Sequence, residues 1–271
     1  MAALSLGIIG CGNMGGAIAR GVLSSPGLKE SFVVGAYDIT EAARKEMEQA
    51  GGIWHTQPED LAAACDLVLL AVKPYQLAAV MQQIRPSLRA DKTLLSIAAG
   101  QPLSALRAAL AGVCAAVQVM PNTPALVNDG VFGLCFDDPA LPDERKRTIR
   151  RLFSALGTVF ILPESRMNAL MAVTGAGPAY VFDMMDAVME AAVTLGFTRS
   201  DASDMVVALF RGAAGMVGAT GQHPAVLHSQ VTSPGGATIV GTNHLARAGM
   251  RGAIIDAILA TAARGKAMEQ E

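Results

Sequence analysis

Aromatic side chains are scarce in this sequence, since Phe, Trp and Tyr make up 4% of its 271 residues. Charged residues are also few, at 16%, and they nearly cancel to a net charge of −2. A chain without an excess of basic residues lacks the surface that nucleic-acid-binding proteins use, so we expect no nucleic-acid partner. The apolar fraction of 52% is supplied mainly by small and aliphatic residues, which favours close packing of helices and sheet.

Signals for membranes and disulfides are also lacking. No apolar run reaches the length of a membrane span, and the N-terminus has no basic segment followed by a cleavage site. We therefore expect no membrane partner and a cytoplasmic location. Cys11, Cys65, Cys114 and Cys135 lie beside apolar strand patterns without any C-x-x-C pair, which predicts buried free thiols rather than disulfides or metal ligands.

Arrangements of catalytic side chains are absent from the sequence. There is no Ser-His-Asp order, no H-E-x-x-H motif and no carboxylate cluster. The histidines, at His55, His223, His228 and His244, do not have the spacing of metal ligands. We therefore expect no metal, and we expect the chemistry to come from a bound cofactor.

A glycine-rich turn follows the first apolar run, 4–9, and forms a G-x-G-x-x-G motif before an amphipathic helix. Gly10 suits the tight turn, Gly12 lets a pyrophosphate approach the backbone, and Gly15 lets the helix lie close to the strand. Asp38 ends the second apolar run. The predicted dinucleotide-binding residues are Gly10, Gly12, Asn13, Met14, Gly15 and Asp38. A strand-turn-helix without a ligand is the alternative.

Strand and helix patterns alternate over the first part of the chain. They predict an α/β fold with a mostly parallel, doubly wound sheet of the Rossmann type. Little room remains for a helix within 111–136, so an antiparallel pairing of the last strands is expected. Predicted strands cover 4–9, 32–37, 66–72, 93–98, 113–119, 131–136 and 157–161, and predicted helices cover 14–24, 40–50, 75–84, 102–110 and 142–155.

The pattern becomes almost entirely helical after Pro163. Several of these helices are apolar on more than one face, which is typical of buried helices, so we expect a second subunit to cover them. We predict a dinucleotide-binding domain over 1–162 and an all-helical dimerisation and substrate domain over 163–271. The predicted helices cover 164–173, 178–195, 199–220, 224–230, 236–248 and 251–268.

Three further turns follow predicted strands of the sheet. Ligands of doubly wound sheets bind beyond the carboxyl ends of the strands, so we expect these turns to line the nicotinamide–ribose channel. A rigid loop without a ligand is the alternative for the turn that contains two prolines. The predicted cofactor-binding residues are Ala71, Val72, Lys73, Pro74, Ala98, Ala99, Gly100, Met120, Pro121 and Asn122.

A second glycine-rich segment lies near the start of a late helix. Ser233 suits a helix N-cap and Pro234 the first helical position. The adjacent glycines would leave first-turn N–H groups open to a carboxylate, and an ordinary helix cap is the alternative. The predicted substrate-binding residues are Ser233, Gly235, Gly236, Ala237 and Thr238.

Six motifs, in their order and separation, resemble the pyrroline-5-carboxylate reductase family over nearly the whole chain. The resemblance implies a Rossmann domain, a helical dimerisation domain, and an active site between one subunit's cofactor and the partner's helices. It implies that the Ser-Pro-Gly-Gly segment binds the substrate carboxylate and that Thr238, as the catalytic residue, hydrogen-bonds the ring nitrogen. The motifs are Gly10–Gly15, Ala71–Pro74, Ser96–Gly100, Met120–Ala125, Gly175–Tyr180 and Val231–Thr238.

The sequence departs from the family pattern at several positions. Gln118 stands where the family usually has Arg, Ala176 replaces a Ser, and Ala246 replaces a Glu. An Asn that often contacts the cofactor is missing near Gln57 and Pro58. Because the carboxylate cradle is intact, we expect binding of a cyclic imino acid to be kept.

The resemblance implies NAD(P)H-dependent reduction of 1-pyrroline-5-carboxylate to L-proline, by a homodimer or a ring of dimers. Reduction of another cyclic imino acid, and a regulatory NAD(P)-binding protein that has lost catalysis, remain alternatives. NADPH is the expected cofactor, with NADH also accepted, and the preference between them stays open. Asp38 would repel a 2′-phosphate if it faces the ribose, whereas Thr40 and nearby N–H groups would favour one. If Asp38 points away, it caps the following helix.

Overall fold

The strands form one sheet in the computed structural model, which describes residues 3–268. Their order across the sheet is β3-β2-β1-β4-β5-β6-β7-β8. Neighbouring strands are parallel except for β6 and β7, which pair antiparallel. The strands are β1 Leu4–Ile9, β2 Phe32–Tyr37, β3 Ile53–Trp54, β4 Leu67–Leu70, β5 Thr93–Ser96, β6 Ala115–Met120, β7 Gly130–Cys135 and β8 Gly157–Ile161.

Helices connect most of these strands and form the remainder of the chain. Short 3₁₀ turns cover Arg85–Ser87 and Thr123–Val127, and a π-helix covers Met171–Gly175. The α-helices are α1 Asn13–Ser24, α2 Pro26–Lys29, α3 Glu41–Gln49, α4 Pro58–Ala64, α5 Pro74–Ile84, α6 Leu103–Leu110, α7 Asp143–Ser154, α8 Glu164–Leu170, α9 Gly177–Thr194, α10 Arg199–Thr220, α11 Pro224–Gln230, α12 Ala237–Arg247 and α13 Met250–Met268.

The sheet has an apolar core on each face because successive side chains of a strand point to opposite sides. Leu67 and Leu69 of β4 pack in one core, beneath α1, α3 and α7. Val68 and Leu70 of the same strand pack in the other core, beneath α4, α5 and α6. All four residues are fully buried, which explains why the strand reads as a continuous apolar run.

The predicted fold class, a mostly parallel doubly wound sheet, is confirmed, and so are most of the predicted strands. The predicted antiparallel pairing is also confirmed, since β7 returns beside β6 after a short 3₁₀ turn rather than after a crossover helix. The sequence patterns missed β3, which has two residues, and the short helices α2 and α4. Elements this short carry too few residues to show a hydrophobic period.

Residue contacts divide the described chain into two compact units. The first comprises 3–176 and 261–268 and contains the sheet, and the second comprises Gly177–Ala260. The sequence-based domain boundary at 162/163 follows a change in pattern rather than contacts, and it stays a prediction. The final turns of α13 therefore pack with the sheet unit, which the sequence patterns did not indicate.

The second unit has little interior of its own. Among its apolar residues, Ala202 and Val206 are buried, whereas Phe182, Leu209 and Leu259 are among many that are exposed. One helix in the described residues, the 22-residue α10, has the length and composition of a membrane span, although no such run was expected. A single helix of this kind is weak support for a membrane span, because core helices of soluble proteins share these properties.

A hydrogen-bonded pair ties the start of β1 to the start of β4. The Asp66 carboxylate accepts hydrogen bonds from the Ser5 N–H at 2.8 Å and the Ser5 hydroxyl at 2.7 Å. Partial burial raises the pKa of Asp66, but the two Ser5 hydrogen bonds and the charges of Arg145 and Lys92 outweigh burial and hold the pKa below its ordinary value. The ionised carboxylate therefore stabilises the fold.

We predict that Asp66→Asn lowers the free energy of unfolding at pH 7 by about 1–3 kcal/mol, the range for hydrogen bonds to charged groups. Because the pKa is lower in the folded protein, this contribution is present above the unfolded pKa of about 3.9 and is lost as pH falls through the folded value. Urea denaturation at pH 7 and pH 3 measures both effects. An equal penalty at both pH values would contradict the assignment, and the exposed Asp129, as Asp129→Asn, is the control.

Candidate active site

The turn between β1 and α1 has room for a side chain at one glycine and not at the other two. Gly10 has a φ of +96°, and a Cβ there would lie 2.7 Å from the Ala71 carbonyl oxygen. A Cβ at Gly15 would overlap the Gly10 carbonyl oxygen and lie 2.8 Å from the Ala71 Cβ. At Gly12 a Cβ would meet nothing within 4 Å, so the turn is open to a ligand at that position.

The first turn of α1 offers backbone N–H groups at this opening. The helix begins at Asn13 with Gly12 as N-cap, without a side-chain capping bond and without an acidic residue in its first turn. The first N–H groups of a helix have no acceptor within the helix and carry partial positive charge. The residues present therefore fit a dinucleotide pyrophosphate.

Asp38 is bound to the glycine-rich turn rather than free at the end of β2. One carboxylate oxygen accepts from the Cys11 N–H at 2.7 Å. The other accepts from the Thr40 N–H and hydroxyl, both at 2.9 Å. Asp38 does not cap α3, whose N-cap is Thr40. The sequence indicated a ribose contact or a helix cap, and it gave no sign of the bond to Cys11.

The cysteines are buried free thiols, as predicted from their apolar surroundings. Burial, and next the charge of Asp38, raises the pKa of Cys11 to about 12. Burial also raises the pKa of the other three thiols to about 11. Because the thiolate is the nucleophilic form, none of these groups is reactive at neutral pH.

The three strand-end turns lie along one edge of the sheet. They follow β4, β5 and β6, which lie in that order beside β1 and run parallel to it. The Ala71 N–H donates to the Ile9 carbonyl at 2.8 Å, which joins the turn after β4 to the end of β1. Gly100 has a φ of +71° in the turn after β5. The fold thus brings Ala71–Pro74, Ala98–Gly100 and Met120–Asn122 to the same edge as the glycine-rich turn.

The side chain of Asn122 is engaged by the protein. Its Oδ1 accepts from the Val131 N–H at 2.8 Å, and its Nδ2 donates to the Thr174 carbonyl at 3.0 Å. Asn122 is 7% exposed, and the two bonds are partly buried. They tie the turn after β6 to β7 and to the π-helix, a distortion often found near functional sites. The residue therefore fixes the shape of this turn.

The Ser233–Gly236 segment is a turn rather than the first turn of a helix. Gly235 has a φ of +69°, and the Gly236 N–H donates to the Ser233 carbonyl at 3.1 Å. Pro followed by Gly in that conformation is typical of a type II turn. Helix α12 begins at Ala237 with Gly236 as N-cap, which corrects the expectation that Ser233 caps the helix. Thr238 is the second helical residue and is exposed.

A doubly wound sheet with an open G-x-G-x-x-G turn at its carboxyl edge defines the class of dinucleotide-dependent oxidoreductases. A family model described as pyrroline-5-carboxylate reductase dimerisation matches residues 164–268, and one described as NADP oxidoreductase coenzyme F420-dependent matches residues 5–100. The pyrroline-5-carboxylate reductase of Methanosarcina acetivorans is 36% identical over 96% of each chain. This chain belongs to the pyrroline-5-carboxylate reductase family.

Further relatives and solved structures agree with this assignment. The soybean (Glycine max) pyrroline-5-carboxylate reductase is 35% identical over 97% of this chain and 95% of its own. The Coxiella burnetii enzyme structure has a TM-score of 0.89 at 29% identity, covering 98% of this chain and 99% of that one. A Plasmodium falciparum pyrroline carboxylate reductase with NADP bound has a TM-score of 0.86 at 29% identity over 99% of each chain. The family and fold class predicted from the sequence are confirmed.

We predict that Asn122→Ala lowers the free energy of unfolding by about 1–3 kcal/mol, because it leaves the partly buried Val131 N–H and Thr174 carbonyl without the Asn122 side chain as partner. Chemical denaturation measures the change. The adjacent exposed Thr123, as Thr123→Ala, is the control and should stay within about 0.5 kcal/mol of wild type. A loss for Asn122→Ala no larger than that of the control would show that the two bonds do not hold the turn.

Proposed function

We propose that this protein reduces the C=N bond of 1-pyrroline-5-carboxylate to give L-proline, with NADPH as cofactor and NADH also accepted. The observation that carries the proposal is the near full-length match to enzymes of that name, at 36% identity over 96% of both chains for one of them. The open turn at Gly12 supports the cofactor assignment.

The proposed roles of the residues follow from backbone geometry. The N–H groups of Asn13, Met14 and Gly15 bind the pyrophosphate, and the three strand-end turns hold the ribose and nicotinamide. The cofactor, when bound, supplies the hydride. The Ser233–Gly236 turn and the first N–H groups of α12 hold the substrate carboxylate, and the Thr238 hydroxyl hydrogen-bonds the ring nitrogen. An imine carbon is electrophilic, so positioning of the substrate supplies much of the rate.

Oxidation of NADPH on addition of 1-pyrroline-5-carboxylate tests the proposal. Comparison of kcat/KM with that for a six-membered cyclic imino acid, 1-piperideine-2-carboxylate, separates the alternatives. A higher kcat/KM for the six-membered ring would favour a reductase of another cyclic imino acid. Binding of NADPH without turnover of either compound would favour a regulatory protein.

We predict that Gly236→Val raises the KM for 1-pyrroline-5-carboxylate at least about tenfold, because its branched side chain meets the Ser233 hydroxyl oxygen and fills the space proposed for the substrate carboxylate. A tenfold change corresponds to about 1.4 kcal/mol, within the range for one hydrogen bond to a charged group. Steady-state kinetics with saturating NADPH gives the KM. Gly241→Val, on the same helix with open space around it, should leave the KM within twofold.

The hydrogen bonds that Asp38 accepts from Cys11 and Thr40 lead to a prediction about cofactor choice. Asp38→Ser removes the acceptor for the Cys11 N–H, so we expect the KM for NADPH and for NADH to rise together by roughly tenfold. The ratio of the two kcat/KM values should change less than threefold. Glu30→Gln, at an exposed site before the amino end of β2, is the control. A tenfold shift of the ratio toward NADPH would instead place the carboxylate at the ribose.

We further propose a homodimer, or a ring of such dimers, formed through the second unit. The dimerisation match over residues 164–268 and the exposed apolar side chains of that unit support this proposal, since single chains rarely leave such patches uncovered. Free cysteines are typical of reducing compartments, and together with the dimerisation match to α10 they support a cytoplasmic location rather than a membrane one.

We predict that sedimentation at micromolar concentration gives the mass of a dimer or a multiple of it. Leu209→Asp, at an exposed site on α10, should shift the protein toward monomer because it places a charge in an apolar interface. Ile39→Asp, at an exposed site in the first unit, should leave the mass unchanged. A monomeric and fully active wild-type protein would refute the assignment.

A further inference from the structure

The C-terminal end of α13 borders the edge of the sheet that carries the strand-end turns. A cavity of about 70 Å³ lies there, entirely within the first unit. One wall comes from the turn after β5 and from β6, and the other comes from α8, the π-helix and α13. The lining residues are Ala99, Gly100, Gln118, Met120, Asn168, Met171, Gly265 and Met268.

Helix α13 is fixed in this place by contacts with α8 and the π-helix. The Asn168 Nδ2 donates to the Ala262 carbonyl at 2.8 Å. Gly265 is buried, and a Cβ there would overlap the Asn168 Oδ1 and the Met171 methyl group. The close approach therefore requires a glycine at 265, and it sets the position of the turn that follows.

Met268 lies over Gly100 as a result. A Cβ built on Gly100 would lie 3.7 Å from the Met268 Cβ and 3.9 Å from its Cε. Gly100 belongs to the turn that we assign to the nicotinamide–ribose channel. Met268 is 41% exposed, and an unbranched thioether side chain adapts its shape to a neighbouring ring.

The cavity also has an unused hydrogen-bond acceptor among its lining residues. Gln118 is 4% exposed and donates from Nε2 to the Gln101 carbonyl at 3.1 Å. Its Oε1 is buried without a hydrogen-bond partner in the described part of the chain. Buried acceptors are rarely left unpaired, so this wall is suited to a group that brings an N–H or O–H donor.

We infer that the last turn of α13 is a wall of the nicotinamide pocket, with the Met268 thioether packing against the cofactor ring. The inference rests on the proposed dinucleotide site and adds a residue outside the motifs that predicted that site. Contacts between a thioether and an aromatic ring are favourable. Met268 should therefore contribute to binding of the ring and not to binding of the adenine, ribose and phosphate groups.

Calorimetric titration with NADP⁺ and with 2′-phospho-ADP-ribose, which lacks the nicotinamide, tests this inference on the full-length protein. We expect Met268→Ala to weaken NADP⁺ binding about three- to tenfold and to leave 2′-phospho-ADP-ribose within twofold. Met268→Leu should retain most of the affinity. Lys266→Ala, at an exposed neighbouring site on α13, should leave the affinity for both ligands unchanged.

The other outcomes separate the inference from the proposed function. Unchanged or tighter NADP⁺ binding by Met268→Ala would overturn the assignment of Met268, and so would an equal loss for both ligands. Failure of the wild-type protein to bind either ligand would refute the proposed dinucleotide site and the inference with it. Retained binding of 2′-phospho-ADP-ribose by the variant shows that it is folded.

Discussion

The approach of α1 to β1 and β4 is the constraint on which the cofactor edge depends. It leaves no room for a Cβ at Gly15 or at Gly10, because each would meet the backbone or Cβ of a neighbouring turn. This contact aims the first N–H groups of α1 at the edge of the sheet. The Asp38 carboxylate holds the same turn from the other side through the Cys11 N–H. A side chain at either glycine would therefore displace the first turn of α1.

The sequence predicted the elements whose side chains repeat with a clear period. The central strands β4, β5 and β6 are mostly apolar, since both of their faces are buried. The spacing of Gly10, Gly12 and Gly15 predicted three different steric roles that the structure displays. The prediction that Ser233 caps a helix was wrong, because Pro suits both the first helical position and the second position of a type II turn. The glycine pair is compatible with either a helix start or a turn, and the positive φ of Gly235 shows that the segment is a turn.

Side chains that the sequence indicated as ligand contacts are partly engaged by the protein backbone. Asp38 lies 27 residues from Cys11, and Asn122 lies 52 residues from Thr174. Sequence patterns show which residue types can bind a ligand, but they do not show which backbone groups a fold brings beside them. The same limit applies to α13, since nothing in its composition indicates that its last turn packs on the sheet unit.

Both proposed anion sites use backbone N–H groups at the start of a helix with a glycine at the N-cap, Gly12 for α1 and Gly236 for α12. A glycine there leaves the first N–H groups open to an anion of any shape, whereas a Ser or Asp side chain would occupy them itself. Backbone N–H groups also do not titrate in the neutral range. The thiols stay protonated because burial raises their pKa. Both proposed anion sites therefore depend on helix geometry rather than on a charged side chain.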